Sequence, residues 1–337
     1  MKLKYFLNLI ICLSYQSKTQ AQTHTLKTRV PYVVGAAVNA KYLKNNSDYR
    51  QLLISQFSGL TTENELKFKE LRPKPGVYNW ENADYLIDFA QKNKLRAHGH
   101  TLIWHGSLPS WVKKFEGDSS QWEKLMKNHI YMVVSRYKGR VTSWDVVNEA
   151  FNDNGTLRQT IWLRKLGPKY ISRAFNYAHL ADPSALLFYN DNANEASPAK
   201  RNAIIKMVTA LKKQGVPIHG LGMQMHTRLA QPNSGITAAL KTAAQTGLSV
   251  HISELDVRIR PSKYSNSTDE KQAEKYWFIF TQYNKLVPKD QQFGITTWNL
   301  TDNDSWLNRS GKSVDWPLLF DRNYQPKNAF KKIIKSF

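Results

Sequence analysis

The amino-acid sequence predicts an α/β fold made of one closed (β/α)8 barrel, and three observations predict it. Short apolar runs of strand length alternate along the chain with amphipathic stretches of helical period. The 337 residues suit one large barrel, and no low-complexity linker divides the chain after residue 25. Polar residues gather just after the apolar runs, at the strand ends where a barrel's βα loops build its functional face.

The candidate strands are Tyr32–Val38, Gly59–Thr62, Arg96–Leu102, Val141–Val147, Leu186–Tyr189, Gly220–Gln224, Ser249–Ser253 and Gly294–Trp298. Between them lie amphipathic segments such as Asp84–Lys92, Trp122–Tyr137, Pro168–His179, Ala199–Lys213, Ile236–Thr246 and Glu270–Tyr283. A doubly wound open sheet is the competing topology. It draws little support, because no glycine-rich phosphate fingerprint follows the first strand.

The first residues read as a secretory signal. Lys2 and Lys4 give a positive start, Phe6–Ser14 is mostly apolar, and Thr19 and Ala21 are small residues suited to a cut after Ala21. The expected division is a signal peptide over residues 1–21 and a barrel domain over 22–337, in a protein secreted to the extracellular or periplasmic space. The apolar run is too short to cross a membrane, and no later one is long and apolar enough. The only cysteine, Cys12, lies inside this segment, so a processed chain would hold neither disulfides nor cysteine metal ligands. Lipid attachment at Cys12 has weak support, since Ile11 is bulky where a small residue is usual.

The formal net charge of +22 suits nucleic acid or an acidic polymer. The basic residues are scattered, however, as at Lys206, Lys212 and Lys213, and no nucleic-acid-binding motif accompanies them. No nucleic-acid partner is expected, and the charge reads as a cationic surface. The ten tryptophans serve core packing first, and they are also the flat apolar faces on which sugars stack.

Two strand ends carry the chemistry. Val141-Thr-Ser-Trp-Asp-Val-Val-Asn-Glu149 runs from an apolar strand into a carboxylate, and Ser249-Val-His-Ile-Ser-Glu254-Leu-Asp256 is an alternating strand that also ends in carboxylates. These are the fourth and seventh strands of the predicted barrel, so Glu149 and Glu254 face each other across its mouth. A carboxyl pair across a cleft is what glycosidic cleavage requires: one group protonates the leaving oxygen and the other attacks the anomeric carbon. A single glutamate at a strand end is more often a loop ion pair, and it is the pairing that favours chemistry.

The chain resembles the family 10 glycoside hydrolases over roughly residues 30–330. The resemblance rests on Thr62-Glu-Asn-Glu-Leu-Lys67, Gly99-His-Thr-Leu-Ile-Trp-His105, Trp144-Asp-Val-Val-Asn-Glu149, Gly222-Met-Gln-Met-His226, Ile252-Ser-Glu-Leu-Asp256, Asp304-Ser-Trp306 and Leu319-Phe-Asp-Arg-Asn-Tyr-Gln-Pro-Lys327. Members are mostly endo-β-1,4-xylanases with a (β/α)8 fold. The resemblance implies xylan as the polysaccharide partner, Glu149 as acid/base and Glu254 as nucleophile. It also implies that Asn148 bonds the sugar 2-hydroxyl, that His226 and Asp256 support the nucleophile, and that Gln224 lines the same subsite. Glu63, Asn64, Lys67, His100 and Trp104 match the residues gripping the sugar on the non-reducing side, with Trp298 and Trp306 walling the cleft.

A general acid that must hold its proton calls for a raised pKa at Glu149. No cofactor is expected, and a monomer is. His98, His100 and His105 raise the thought of a metal, but His100 and His105 fit the sugar motif better and no metal is expected.

The pattern breaks at four places. Ser107 stands where family members commonly have Gln, and Asn192-Ala193 replaces a common Tyr-Asn. Asn299 replaces a common Gly. The short Ser107 reaches less far into the cleft, and loss of the aromatic at residue 192 should weaken stacking on the leaving-group side. Competing readings are a barrel glycosidase with an altered substrate (decorated or mixed-linkage xylan, or cellulose) and a sugar-binding protein that has lost catalysis. Weak attraction to acidic groups on cell-wall polysaccharide is a second reading of the positive charge.

Overall fold

A computed structural model describes residues 24–260, 263–309, 311 and 314–337. The expected signal segment, with Cys12, lies outside these residues. Among the described residues the strands are β1 Val34–Val38, β2 Gly59–Thr62, β3 Arg96–Ile103, β4 Ser143–Asn148, β5 Leu186–Asp191, β6 Gly220–Met223, β7 His226–Arg228, β8 Ser249–Arg258 and β9 Gln292–Trp298. They hydrogen-bond in the order β6-β5-β4-β3-β2-β1-β9-β8-β7, and β6 also pairs with β8. That last pairing is parallel, from Gly220↔Ser249 to Met223↔Ile252, and it closes the sheet on itself. Closure rules out the open doubly wound alternative. The short β7 joins only the far end of β8, with His226 opposite Asp256.

The expected strand starts and ends hold within a few residues except at β8. It was expected to stop at Ser253 but runs to Arg258, because β7 gives its outer half a second partner on the barrel rim. Glu254 and Asp256 therefore lie within a strand rather than after one. The barrel strands are buried along almost their whole length, as helices cover one face and side chains fill the other. This is why most of them read as apolar runs, the alternating Ser249 strand being the exception.

Helix boundaries follow their caps. Ser119–Arg136 starts three residues before the expected Trp122 because Asp118 and Gln121 form a capping box. It buries Trp122, Leu125, Met126, His129, Ile130 and Val133, the stripe that a 3.6-residue period lays against the barrel. Asn266–Leu286 likewise begins a turn before Glu270, capped by Ser265 and Thr268. Ser47–Gln56 and Asn328–Ser336 are further helices that the sequence reading does not single out.

The lower barrel interior is filled by rings from four strands. His98 and His251 lie 5.0 Å apart, and Phe188 and Phe293 4.5 Å apart. Facing Phe188 across the β5–β6 ladder is Gly220, where a Cβ would stand 2.0 Å from the phenyl ring. Two residues further up the same strands, Asn190 faces Gly222. That level is the floor of the candidate site.

Candidate active site

The barrel mouth is organised as one rung of backbone and side chain. β4 ends at Asn148, and Glu149 leaves it at φ 57°, in the left-handed region that a glutamate rarely adopts. Its N–H donates to Asn190 O at 2.9 Å. The Gln224 N–H donates to Asp191 O at 3.0 Å, and the Glu254 N–H to Gln224 O at 2.9 Å. Strands β4, β5, β6 and β8 thus present Glu149, Asn190, Gln224 and Glu254 at one height.

Their side chains are joined. Gln224 Nε2 donates to Glu149 Oε1 at 3.0 Å and to Asn148 Oδ1 at 3.2 Å. Asn190 Nδ2 donates to the same Asn148 oxygen at 3.1 Å and to Glu254 Oε1 at 2.7 Å. Three amides therefore connect the two carboxylates. Asn190 is itself fixed by Ser253 Oγ, which donates to its Oδ1 at 2.6 Å. It also needs Gly222 beside it, since a Cβ there would stand 2.3 Å from that oxygen.

Behind Glu254 stands an ion chain. His226 Nε2 lies 3.0 Å from Glu254 Oε2, and His226 Nδ1 lies 2.7 Å from Asp256 Oδ2. Burial alone would lower the imidazole pKa, but Asp256 and Glu254 outweigh it and push it up to about 10. His226 is therefore a cation at neutral pH and donates from both nitrogens. Trp306 Nε1 donates to the same Asp256 oxygen at 2.8 Å.

Glu149 departs from expectation. A raised pKa is expected for a general acid, and burial does push it up. The hydrogen bond from Gln224, the Trp104 indole and the positive charges of His105 and Arg158 reverse that effect and leave it below the ordinary carboxyl value. With these groups around it, Glu149 is ionised at neutral pH.

On the other side of the mouth, Lys67 lies between Trp104 and Trp298, its Nζ 5.2 Å and 5.5 Å from their ring centroids, and donates to Asn64 Oδ1 at 3.1 Å. Burial lowers the Lys67 pKa, against the opposing pull of Glu254, Glu63 and other carboxylates. His100 is buried, with Nδ1 2.9 Å from Asp145 Oδ2, and its ring packs edge-on against Trp298. Glu63 has a partner that the sequence reading does not name: the Arg309 guanidinium meets both its oxygens, one at 2.7 Å. His98 and His100 both turn to Asp145, while His105 stands apart beside Glu149. The three histidines do not converge.

The four departures have local structural consequences. Asn192 turns its oxygen to the fully buried Lys200, 2.6 Å away, and Lys200 also pairs with Asp191 at 2.9 Å. Ala193 follows at φ 57°. Ser107 meets its neighbour through its carbonyl, which accepts from Lys69 N at 3.1 Å. Asn299 sits at φ 88°, where glycine is the easy residue, and its Oδ1 accepts from Trp306 N at 2.8 Å. Asn190, Arg309 and this role of Asn299 are missing from the sequence reading. Asn190 had a signal, as it lies in the polar cluster after the fifth strand. Arg309 had none, because only folding brings its loop to Glu63.

A closed parallel barrel with two glutamates bridged across its mouth, one backed by a charged imidazole, is the architecture of a barrel glycoside hydrolase. The profile of glycosyl hydrolase family 10 matches residues 23–336. The chain belongs to that family. It is 39% identical over 321 residues to a beta-1,4-xylanase of Dictyoglomus thermophilum, covering 90% of this chain and 88% of that protein. The crystal structure of xylanase 10B from Thermotoga petrophila with xylobiose superposes with a TM-score of 0.87 at 35% identity, covering 94% of this chain and 98% of the other. That of an intracellular xylanase from Thermoanaerobacterium saccharolyticum does so with a TM-score of 0.87 at 32% identity, covering 93% and 99%.

Proposed function

We propose that this chain is a secreted, retaining endo-β-1,4-xylanase that cuts internal xylosidic bonds by double displacement. Glu254 attacks the anomeric carbon, and Glu149 gives its proton to the departing oxygen. The resulting glycosyl ester on Glu254 is then hydrolysed by a water from which Glu149 takes a proton. The observation that carries this reading is the amide-bridged rung, with the His226 cation behind Glu254 alone. It makes the two carboxylates unequal, with Glu254 oriented for attack by His226 and Asn190. Bound sugar excludes water from Glu149 and favours its protonation beside the charged Glu254. Once the ester forms, that charge is gone and Glu149 ionises again, ready to act as base.

In this reading Asn148 donates to the sugar 2-hydroxyl, a bond that strengthens as positive charge develops at the anomeric centre. Lys67, Asn64, His100 and the Arg309-bound Glu63 grip the residue on the non-reducing side, with Trp104 and Trp298 against its faces. A monomer belongs to the same reading. Secretion rests on the signal-like segment ending at Ala21, and N-terminal sequencing of protein from the culture fluid tests it.

Two substitutions test the mechanism. Glu254→Ala abolishes turnover of every substrate. Glu149→Ala loses about 10²–10⁴-fold on xylan but keeps glycosylation of aryl xylobiosides whose leaving groups need no proton. Equal loss on both substrate types overturns the acid/base role, and an α-anomer as first product by NMR overturns retention. Cellulose and decorated and mixed-linkage xylans run in parallel decide the substrate. Faster release of reducing ends from any of them than from linear xylan would replace the xylanase reading with an altered specificity.

A further inference from the structure

Trp306 is expected from its motif to be a wall of the cleft, yet its polar atom faces inward. Its Nε1–H donates to Asp256 Oδ2 at 2.8 Å, the oxygen that also receives His226 Nδ1 at 2.7 Å. Asp256 is fully buried, and its other oxygen has no partner among the described residues. The carboxylate is thus oriented by two donors, and Trp306 supplies one of them. The indole also covers the imidazole, with ring centroids 5.0 Å apart. The Arg258 guanidinium caps the outer side at 5.4 Å.

The backbone of Trp306 is in turn held by Asn299, whose Oδ1 accepts its N–H at 2.8 Å. Asn299 is fully buried and occupies φ 88°, a conformation that glycine adopts without strain. Its side chain therefore contributes what glycine could not, a fixed acceptor for the loop that carries Trp306.

We propose that Trp306 is a positioning residue for the nucleophile, acting through Asp256 and His226 on Glu254, and that Asn299 sets its place. The inference rests on the reading of Glu254 as nucleophile. Without the indole N–H, Asp256 keeps only its bond to His226 and gains freedom to turn. The imidazole then no longer presents Nε2 squarely to Glu254 Oε2, and attack on the anomeric carbon slows while sugar binding persists.

The test follows covalent trapping of the full-length chain by 2,4-dinitrophenyl 2-deoxy-2-fluoro-β-xylobioside. Glu254 Oε bonds to C1 as the C1–O bond breaks, dinitrophenolate leaves with the electron pair, and no proton donor is required. The fluorine slows hydrolysis of the ester, so the adduct accumulates and the limiting trapping rate reads nucleophilic attack alone. Trp306→Phe keeps a flat apolar ring and removes the N–H. It should slow limiting trapping roughly tenfold or more, with half-saturation changed by less than about twofold. Asn299→Gly should slow it in the same direction by less. In an Asp256→Ala background Trp306→Phe should add no further loss, as expected for residues acting in one chain.

Wild-type trapping by Trp306→Phe, or a change confined to half-saturation, leaves Trp306 a mere wall and overturns the proposal. A loss that multiplies with that of Asp256→Ala overturns the route through Asp256. If Trp306→Phe does not fold, Asn299→Gly decides by the same rate. Peptide mass spectrometry of the trapped chain keeps the two levels apart: a label anywhere but Glu254 sinks the underlying reading, whereas these rates judge only the positioning role.

Discussion

His226 carries a charge that most histidines lose near neutrality, and that charge links the site to stability. Its pKa in the folded chain, about 10, lies above the ordinary 6.5. The stabilisation is therefore complete below about pH 6.5 and is lost as pH rises through about 10. His226→Asn should flatten the fall in Tm between these limits, by a contribution on the order of a few kcal/mol. Thermal unfolding followed across that range checks it, and parallel curves for the two proteins would reject a charged His226. Glu149 shows the limit of reading residues from a motif. Its place after Asn148 is visible in the sequence, but its lowered pKa comes from Gln224, Trp104, His105 and Arg158, contributed by three separate segments.

At the scale of elements, β6 shows how one strand serves both the core and the candidate site. Its sequence is Gly220-Leu-Gly-Met223, and residues two apart on a strand share a face. Both glycines make room for the partner residue on β5, Gly220 for Phe188 and Gly222 for Asn190. The consequences of filling the two spaces should differ. Gly220→Ala drives a methyl into the Phe188 ring, which is packed against Phe293 and His251. It should cost about 1–3 kcal/mol and lower Tm, with kcat of the folded enzyme little changed. Gly222→Ala pushes Asn190 off Glu254, so the loss should fall on kcat. Unfolding curves and kcat for both variants check this, and a matching loss in both measures for the two would contradict the division. The sequence displays these glycines without their reason, because the reason is a side chain on another strand.

At the scale of the whole molecule, closure by the β6–β8 ladder brings strands far apart in sequence around one mouth. Glu63 and Arg309 meet there from opposite ends of the chain. The molecule also bears a formal charge of +22, spread rather than gathered. Long-range attraction of that kind is screened over roughly 8–10 Å at physiological salt. The KM on glucuronic-acid-bearing xylan should therefore rise with sodium chloride, while the KM on uncharged xylo-oligosaccharides stays flat. Identical salt dependence for the two would remove any role of the charge in substrate capture.

The sequence by itself determined the barrel and pointed to Glu149 and Glu254 as the candidate pair, and both for local reasons. Strand and helix periods are written over a few consecutive residues, and each glutamate is legible where its strand-forming run passes into polar residues, although β8 then runs on past Glu254 to Arg258. Tertiary structure alone decided the hydrogen-bonded amides between Glu149 and Glu254, the Arg309 grip on Glu63, the depressed Glu149 pKa and the inward turn of Trp306. Each depends on distances and burial between segments that touch only after the sheet has closed, and Coulomb and hydrogen-bond energies are set by those distances rather than by position along the chain.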